Sequence, residues 1–408
     1  MPDQTAPPHG VMEGKGAYNR YAKLPAGGAA LALPLLEEAV RHLELDTNDQ
    51  TVVIADYGSS QGKNSMVPMD IAIRGLRLRI GTNRPISVFH IDQPSNDFNA
   101  LFEVLDADPD RYVLDDPNVF PAAIGKSFYE IVLPPSSVHL GWSSYAAVWL
   151  SRVPALIPGH FFPACATGRV RDEFDRQAAK DWESFLSLRA RELRPGGRLV
   201  VVLPALPDVG LSGFESIMDE ANAVLGEMVA DGSITSEERA GMVLGSYPRR
   251  KRDLLAPFAN DGNFQHLTVE DIEMFNLRDA AWADYERDGN KDALATKHSL
   301  FFRSIFMPSL ASALDRVRSG DADAVRIFGD RLAAGLKRHL ASQPRAMHSL
   351  VQTIVPSHTA PRPGRRCRCD RPPSCPRLAR ATYTEMSRRS SLPPSPESAA
   401  SRRSAWRR

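Results

Sequence analysis

An acid and two glycines stand where an apolar run ends early in the chain, and their spacing can support a ligand site. The segment VVIADYGSSQGKNSM starts at Val52 and places Asp56, Gly58 and Gly62 directly after a predicted buried strand. Glycine lets the backbone approach a ligand closely, because no Cβ stands in the way. The spacing D-x-G-x-x-x-G matches neither the dinucleotide fingerprint nor a P-loop, both of which bind phosphate groups. We therefore expect a nucleoside-like ligand without a pyrophosphate.

A second acid, Asp92, ends the next predicted strand and strengthens this expectation. An acid at that place can accept hydrogen bonds from both hydroxyls of a ribose. In doubly wound sheets, ligands bind outside the carboxyl ends of the strands, so Asp56 and Asp92 are predicted to share one edge of the sheet. Together they predict an adenosine-type cofactor. The alternative is that both acids only cap turns after their strands.

Predicted strands and helices alternate along the part of the chain that carries these acids. Apolar runs predict strands buried on both faces, as in a parallel sheet, at 51–57, 85–92, within 127–144 and at 198–206. Apolar residues at helical spacing predict helices at 30–45, 62–80 and 166–197, the last ending in a Pro-Gly-Gly sequence. This alternation implies right-handed crossovers and predicts an α/β fold with a Rossmann-like, doubly wound sheet.

Composition and charge exclude several classes of protein. Of the 408 residues, 43% are hydrophobic and 24% are charged, which is typical of soluble globular proteins. No apolar run reaches the roughly 18 residues of a membrane span, and no apolar signal sequence starts the chain, so a cytoplasmic location is expected. From Ser357 onward there are 13 arginines and three acids, which leaves a net charge of −9 on the preceding residues. Such an acidic body is a poor surface for nucleic acid, and a small-molecule partner is expected.

The four cysteines indicate neither a disulfide framework nor a metal site. Cys165 stands alone in the body of the chain and is expected to pack there. Cys367, Cys369 and Cys375 cluster near the C-terminus, but their spacing does not fit the paired C-x-x-C ligands of zinc. We therefore expect no metal ligands.

Further motifs follow in order, and together with the first segment they carry a family resemblance. They are IADYGSSQGKN from Ile54, DQPSNDFN from Asp92, SFY from Ser127, SSYAAVWLSRVP from Ser143 and FLSLRARELRPGGR from Phe185. On these motifs the chain resembles the SABATH family of S-adenosylmethionine-dependent methyltransferases. Members methylate carboxyl groups of small acids such as salicylate and jasmonate, or ring nitrogens of xanthine alkaloids. The resemblance runs from about residue 10 to about residue 343.

The resemblance implies S-adenosylmethionine as the cofactor and a set of residues around it. Asp92 would hold the ribose, Phe128 would flank the adenine, and Tyr18 would close over the cofactor. The full set of implied cofactor contacts is Tyr18, Asp56, Gly58, Ser60, Gly62, Asn64, Asp92, Ser127 and Phe128.

The resemblance also implies an acceptor pocket built around Tyr145, Val148 and Trp149. Trp142 and Tyr247 are further candidates, although either can equally be a packing or surface aromatic. In carboxylate-methylating members, an indole N–H and a glutamine of the N-terminal leader hold the oxygens of the acid. Here Pro25 or Gly28 stands where that glutamine is expected, and Lys23 is a possible counter-ion.

Five regions follow from these assignments. They are a leader at 1–29 that closes over the cofactor, an α/β core at 30–206, a mostly helical cap at 207–299 that contributes to the acceptor pocket, a return to the core at 300–343, and a disordered tail rich in Arg, Pro and Ser at 344–408. Family members often form homodimers, so a homodimer is a possible assembly.

The expected reaction is methyl transfer to the carboxylate of a small acid by in-line displacement. A carboxylate is already ionised at pH 7, so no general base is needed and we name no catalytic residue. A ring-nitrogen acceptor is the alternative; it can require a base, for which His139 is the nearest candidate in sequence. A further alternative is a regulatory or scaffolding protein that binds the cofactor but has lost its acceptor site.

Overall fold

The computed structural model describes residues 10–47, 50–114, 116–208 and 212–359. The three C-terminal cysteines and the arginine-rich segment lie outside these residues. An eight-stranded sheet forms the centre, with strands in the order β3-β2-β1-β4-β5-β8-β7-β6. In chain order the strands are β1 (Val52–Tyr57), β2 (Ile86–Asp92), β3 (Val119–Gly125), β4 (Val138–Ser144), β5 (Leu193–Pro204), β6 (Asn263–Phe264), β7 (Leu267–Leu277) and β8 (Ser349–His358).

Helices cover the sheet and form the cap. In chain order they are α1 (Ala17–Tyr21), α2 (Lys23–Leu31), α3 (Leu33–Arg41), α4 (Lys63–Ile80), α5 (Phe98–Ala107), α6 (Gly168–Glu192), α7 (Glu215–Ala230), α8 (Ser236–Gly241), α9 (Lys251–Leu255), α10 (Ala280–Asp288), α11 (Lys291–Ala311), α12 (Arg316–Ser319) and α13 (Ala322–Ser342). None of the described helices combines the length and apolar character that a membrane span requires.

The first five strands are parallel, and β1 lies between β2 and β4. The chain runs outward from β1 through β2 to β3 and then crosses back to β4, on the other side of β1. In a doubly wound sheet, a crevice opens between the two strands at which the order reverses, here β1 and β4. Asp56 pairs with His90 of β2 on one side and with Trp142 of β4 on the other, so it lies at the carboxyl edge of this switch. The predicted α/β fold of the doubly wound methyltransferase type is confirmed.

Alternate residues of each strand enter two separate hydrophobic clusters, one on each face of the sheet. Ile54 and Val200 face the cluster that contains residues of α3 and α4. Ala55 and Val201 face the larger cluster, which contains residues of α6, α7 and α11. This placement follows from the twofold periodicity of side chains along a strand.

Two predicted regions are corrected by the sheet. β8 lies within the predicted tail, yet it occupies the interior of the sheet and pairs antiparallel with both β5 and β7. β7 lies within the predicted helical cap, whereas α11 and α13 of the 300–343 region contribute residues to the larger hydrophobic cluster. The sequence LTVEDIEMFNL of β7 fits helical spacing locally, and its pairing with a strand about 80 residues away decides the outcome.

The end of α6 also differs from expectation. The helix stops at Glu192, and β5 begins at Leu193, so the Pro-Gly-Gly sequence lies inside the strand. Gly196 has a φ of 77°, which accommodates the shift in register between β4 and β5.

Candidate active site

A cavity opens where the parallel strands end at their carboxyl termini. Its lining includes a residue at or just after the end of each of these strands: Gly58, Asp92, Phe128, Ser144 and Pro204. Ligands of doubly wound sheets bind at this edge.

Asp92 is fixed at one end of the cavity by two backbone groups. Its Oδ2 accepts from the N–H of Ser60 at 2.7 Å, and its Oδ1 accepts from the N–H of Gln93 at 2.7 Å. Each carboxylate oxygen keeps a free lone pair for a ligand hydroxyl. Burial, with a smaller contribution from the charge of Asp56, raises the pKa of Asp92 to about 6.

The glycine loop brings the backbone against the next segment of the site. Gly58 has a φ of 91°, and a Cβ there would lie 2.0 Å from the Cβ of Ala146. Ser60 also has a positive φ, 47°, and its carbonyl accepts from the side chain of Asn96 at 2.7 Å. The Ser60 hydroxyl is buried without a hydrogen-bond partner among the described residues, as expected for a polar group that awaits a ligand.

The N-terminal leader, residues 10–31, is attached to this loop by side-chain amides. Gln61 donates to the carbonyl of Glu13 at 2.6 Å, and Asn19 donates to the carbonyl of Gln61 at 2.8 Å. Tyr18 of α1 lines the cavity and is 8% exposed. Burial raises the pKa of Tyr18 to about 12, although an interaction with Asn64 opposes that shift. The leader therefore covers the Asp92 end of the cavity.

Phe128 forms an aromatic wall between Asp92 and the far end of the cavity. Its carbonyl accepts from the guanidinium of Arg189 at 2.8 Å, and its ring lies 4.8 Å from that of Tyr129. The Tyr129 hydroxyl donates to the carbonyl of Trp149 at 2.7 Å. This chain of contacts links the wall to the segment that carries the indole.

The far end of the cavity is almost entirely apolar. Tyr145, Val148 and Trp149 line it, as expected, and the Trp149 ring lies 6.2 Å from the ring of Phe306. The other apolar lining residues are Met12, Leu24, Pro25, Phe162, Phe214, Met218, Phe301, Ile305 and Phe306. A ligand with an apolar body fits such a surface.

Eight of the fourteen residues predicted for the site line the cavity, and their ligand contacts stay predictions. The eight are Tyr18, Gly58, Ser60, Asp92, Phe128, Tyr145, Val148 and Trp149. Three of the others support the lining. Gly62, with a φ of 86°, starts α4, Asn64 donates to the carbonyl of Ala22, and the Ser127 hydroxyl accepts from the N–H of Tyr129.

Asp56 does not line the cavity, contrary to the role expected for it. Its Oδ2 lies 2.9 Å from Nδ1 of His90, whose Nε2 lies 2.8 Å from the hydroxyl of Tyr112. All three side chains are buried. Asp56 therefore affects the site through its charge, which contributes to the raised pKa of Asp92, and through its contact with His90 at the sheet edge.

Trp142 and Tyr247 are packing residues, so the pocket role predicted for them is wrong. Trp142 is 1% exposed and belongs to the cluster on the α3–α4 face of the sheet, because its position alternates away from the cavity. The Tyr247 ring stacks on Phe174 at 6.4 Å, and its hydroxyl donates to Asp175. Its neighbours Ser246 and Pro248 line the cavity instead.

His139 is not placed to act as a base. Its Nδ1 accepts from the N–H of Val53 at 3.1 Å, near the start of β1 and hence at the edge of the sheet opposite the cavity. Its Nε2 lies 2.6 Å from the guanidinium of Arg194, and burial lowers its pKa to about 4.

Cys165 is not isolated, because His160 and Asp219 bring ligand atoms within 4.8 Å of its sulfur and of one another. Nδ1 of His160 accepts from the N–H of Phe162 at 2.9 Å, so the neutral ring carries its proton on Nε2, which faces Asp219 at 3.3 Å. A metal ion at Nε2 would find no lone pair there. Burial lowers the pKa of His160, so the arrangement fits a contact between a neutral imidazole and a carboxylate better than a metal centre.

Several lining residues were missed from the sequence. Gln93 and Asn96 fall within the motif that begins at Asp92, so their motif position was a usable signal. Phe301 and Ile305 are one helical turn apart on α11 and share a face. Ser246 carries no such signal, because its side-chain direction depends on strand pairing with a distant segment.

Comparisons with known proteins agree on a family. A family model described as SAM dependent carboxyl methyltransferase matches residues 9–349. A probable S-adenosylmethionine-dependent methyltransferase of Arabidopsis thaliana is 34% identical over 253 residues, which are 57% of this chain and 67% of that protein. The salicylate carboxymethyltransferase of Clarkia breweri is 28% identical over 294 residues, 68% of this chain and 79% of that protein. Further curated relatives are matched over 65% of their own length.

A solved structure has the same fold. It is described as loganic acid methyltransferase with SAH, and it matches with a TM-score of 0.69 at 23% identity over 86% of this chain and 99% of that one. The match supports the sheet order and the added helices described above.

Proposed function

Because the chain belongs to the family of S-adenosylmethionine-dependent carboxyl methyltransferases, we propose that it methylates the carboxylate of a small, largely apolar acid. The observation that carries this proposal is that Asp92 and Trp149 line one and the same cavity. A cofactor held by the first and an acid held near the second would meet between them.

The residues at the Asp92 end fit a nucleoside cofactor. Asp92 would accept the ribose hydroxyls, the Phe128 ring would lie against the base, and the unpartnered hydroxyl of Ser60 would gain a partner. When bound, S-adenosylmethionine supplies an electrophilic methyl group. Tyr18 and the leader exclude water from this end, which favours alignment of the acceptor oxygen with the methyl carbon.

The acceptor end offers no base, which favours an acid that is already ionised. Among the described lining residues, the ionisable side chains are Asp92, Tyr18 and Tyr145. Burial raises the pKa of both tyrosines, so their hydroxyls stay neutral, and Asp92 lies at the cofactor end. A carboxylate needs no deprotonation at pH 7. Two similar proteins, described as a salicylate carboxymethyltransferase and a loganic acid methyltransferase, support an acid as well.

Label transfer from S-adenosylmethionine to a panel of aromatic, alicyclic and aliphatic acids tests the proposal. We expect at least one acid to gain label as a methyl ester, which mild alkali releases as labelled methanol. An N-methyl product would resist the same treatment and so identifies the ring-nitrogen alternative.

The control for this assay is binding of S-adenosylhomocysteine by calorimetry. Binding of this product without label transfer to any acid would contradict the proposal and would support the alternative of a cofactor-binding protein without an acceptor site.

A further inference from the structure

We propose that Trp149 and Ser246 form a two-point subsite for the carboxylate of the acceptor, in which the Ser246 hydroxyl takes the place of the absent leader glutamine. This carboxylate subsite rests on the proposed function and specifies how its acceptor is held. It adds a residue that no motif indicated.

Backbone pairing places the two side chains next to each other. Trp149 and Ser246 are partners in an antiparallel bridge. The flanking hydrogen bonds run from the N–H of Leu150 to the carbonyl of Gly245 at 2.7 Å and from the N–H of Tyr247 to the carbonyl of Val148 at 2.9 Å. This pattern defines a non-hydrogen-bonded pair, whose side chains lie on one face and closer together than in the other kind of pair.

The alternation of the second segment aims Ser246 into the cavity. Ser246 and Pro248 line it, whereas Tyr247 between them packs on the opposite side against Phe174. Successive side chains of an extended segment point to opposite faces, so Ser246 and Pro248 face the cavity when Tyr247 faces away from it.

Both candidate donors are free to bind a ligand. Within the described residues, neither the indole N–H of Trp149 nor the hydroxyl of Ser246 has a hydrogen-bond partner, and each residue is 8% exposed. Neither atom is among the fully buried polar atoms that lack a partner, so both are open to the cavity and accessible to a ligand. Two adjacent donors match the two oxygens of one carboxylate.

Neither leader position at which the glutamine is expected offers a competing side-chain donor. Pro25 lines the cavity and has neither a side-chain donor nor a backbone N–H, and Lys23 is exposed outside the lining. A Cβ at Gly28 would lie 2.0 Å from the Tyr145 hydroxyl, so a glutamine cannot be accommodated there without displacing that ring. The Tyr145 hydroxyl itself is buried without a hydrogen-bond partner among the described residues, and Ser349 lies near enough to oppose the rise of its pKa.

Ser144 is the remaining serine in the lining apart from Ser60, and it ends β4. It is not paired with Trp149 in any strand contact, so the geometry favours Ser246. The test therefore compares Ser144→Ala with Ser246→Ala.

Calorimetry with cinnamate and cinnamamide, in the presence of saturating S-adenosylhomocysteine, tests the subsite. These probes share an apolar body and differ in the carboxylate. We expect the wild-type protein to bind cinnamate more tightly, and Ser246→Ala to lose at least about tenfold in cinnamate affinity with little change for cinnamamide. Ser246→Thr should retain the preference because it keeps the hydroxyl.

Ser309→Ala is the matched control, because this buried hydroxyl also lacks a described partner but lies outside the cavity lining. Equal cinnamate affinity in wild type and Ser246→Ala would overturn the subsite, as would a loss confined to Ser144→Ala. If the wild-type protein still transferred label to an acid, the proposed function would survive either result. Absence of label transfer to every acid would remove both proposals together.

Discussion

The ribose contact proposed for Asp92 would make cofactor binding depend on pH. The two oxygens of Asp92 are held by backbone donors from the glycine loop and from the next residue, so the carboxylate cannot turn away from the cavity. Those donors lower its pKa, but burial and the charge of Asp56 outweigh them and raise it to about 6. Ribose hydroxyls donate to the ionised form, so binding requires loss of this proton.

We predict that the affinity for S-adenosylhomocysteine is greatest above about pH 7 and falls by roughly tenfold per pH unit below the pKa of Asp92. The affinity falls as the pH falls, because protonation of Asp92 removes the acceptor that the ribose hydroxyls need. Calorimetry between about pH 5 and about pH 7.5 measures the effect.

The Asp92→Asn variant is the control for this pH dependence. It should bind weakly at every pH and lose the slope, because the amide does not titrate. A wild-type affinity that is flat across the range would show that Asp92 does not hold the ribose.

At the scale of elements, site residues that lie within a sequence motif were predictable. Site residues whose orientation depends on pairing between two distant segments were not. The motif around Asp92 indicated the cofactor end, and the motif around Trp149 indicated the indole wall. Tyr247 was misassigned because its direction is set by an antiparallel bridge between segments about 100 residues apart. The sequence of a short bridge carries no periodic pattern from which that direction can be read.

The leader and the glycine loop are coupled elements, and Gln61 is the connection between them. It is fully buried and bonds to Glu13 and Asn19. We predict that Gln61→Ala removes the donor to the Glu13 carbonyl, at a cost of about 1–3 kcal/mol, whereas the bond from the Asn19 side chain to the backbone carbonyl of residue 61 stays. Amide hydrogen exchange of residues 10–31 should then speed up, and the affinity for S-adenosylhomocysteine should fall.

Asn118→Ala is a suitable control for the leader, because its amide also bridges two segments, to the carbonyl of Thr82 at 2.9 Å, but far from the cavity in the fold. Unchanged exchange in the leader of Gln61→Ala would mean that other contacts hold it in place.

At the scale of the whole molecule, four of the five parallel strands were predictable, whereas β3 and the antiparallel half of the sheet were not. β1 and β2 are mostly apolar runs, which indicates burial on both faces, but the residues of β3 are largely half-buried or exposed. β8 reads SLVQTIVPSH and is followed by an arginine-rich segment, so its composition resembles the tail. Only its partners, β5 and β7, make it an interior strand.

The homodimer stays a prediction.

Truncation tests the place of β8. We predict that a chain ending after Gln343 is insoluble or unfolded, because β5 would lose its antiparallel partner and β7 its attachment to the sheet. A chain ending after Thr359 keeps every described strand and should retain a cooperative thermal transition. Circular dichroism compares the two, and a folded, cofactor-binding chain ending after Gln343 would contradict the prediction.

The bridge between Trp149 and Ser246 makes acceptor choice sensitive to chain length as well as to residue type. Insertion or loss of one residue before Gly245 would exchange the two faces of the segment and turn the Tyr247 ring inward in place of a hydroxyl. Acceptor preference within such a scaffold can therefore change abruptly through a single codon gained or lost, with every cavity-facing residue type still present in the gene.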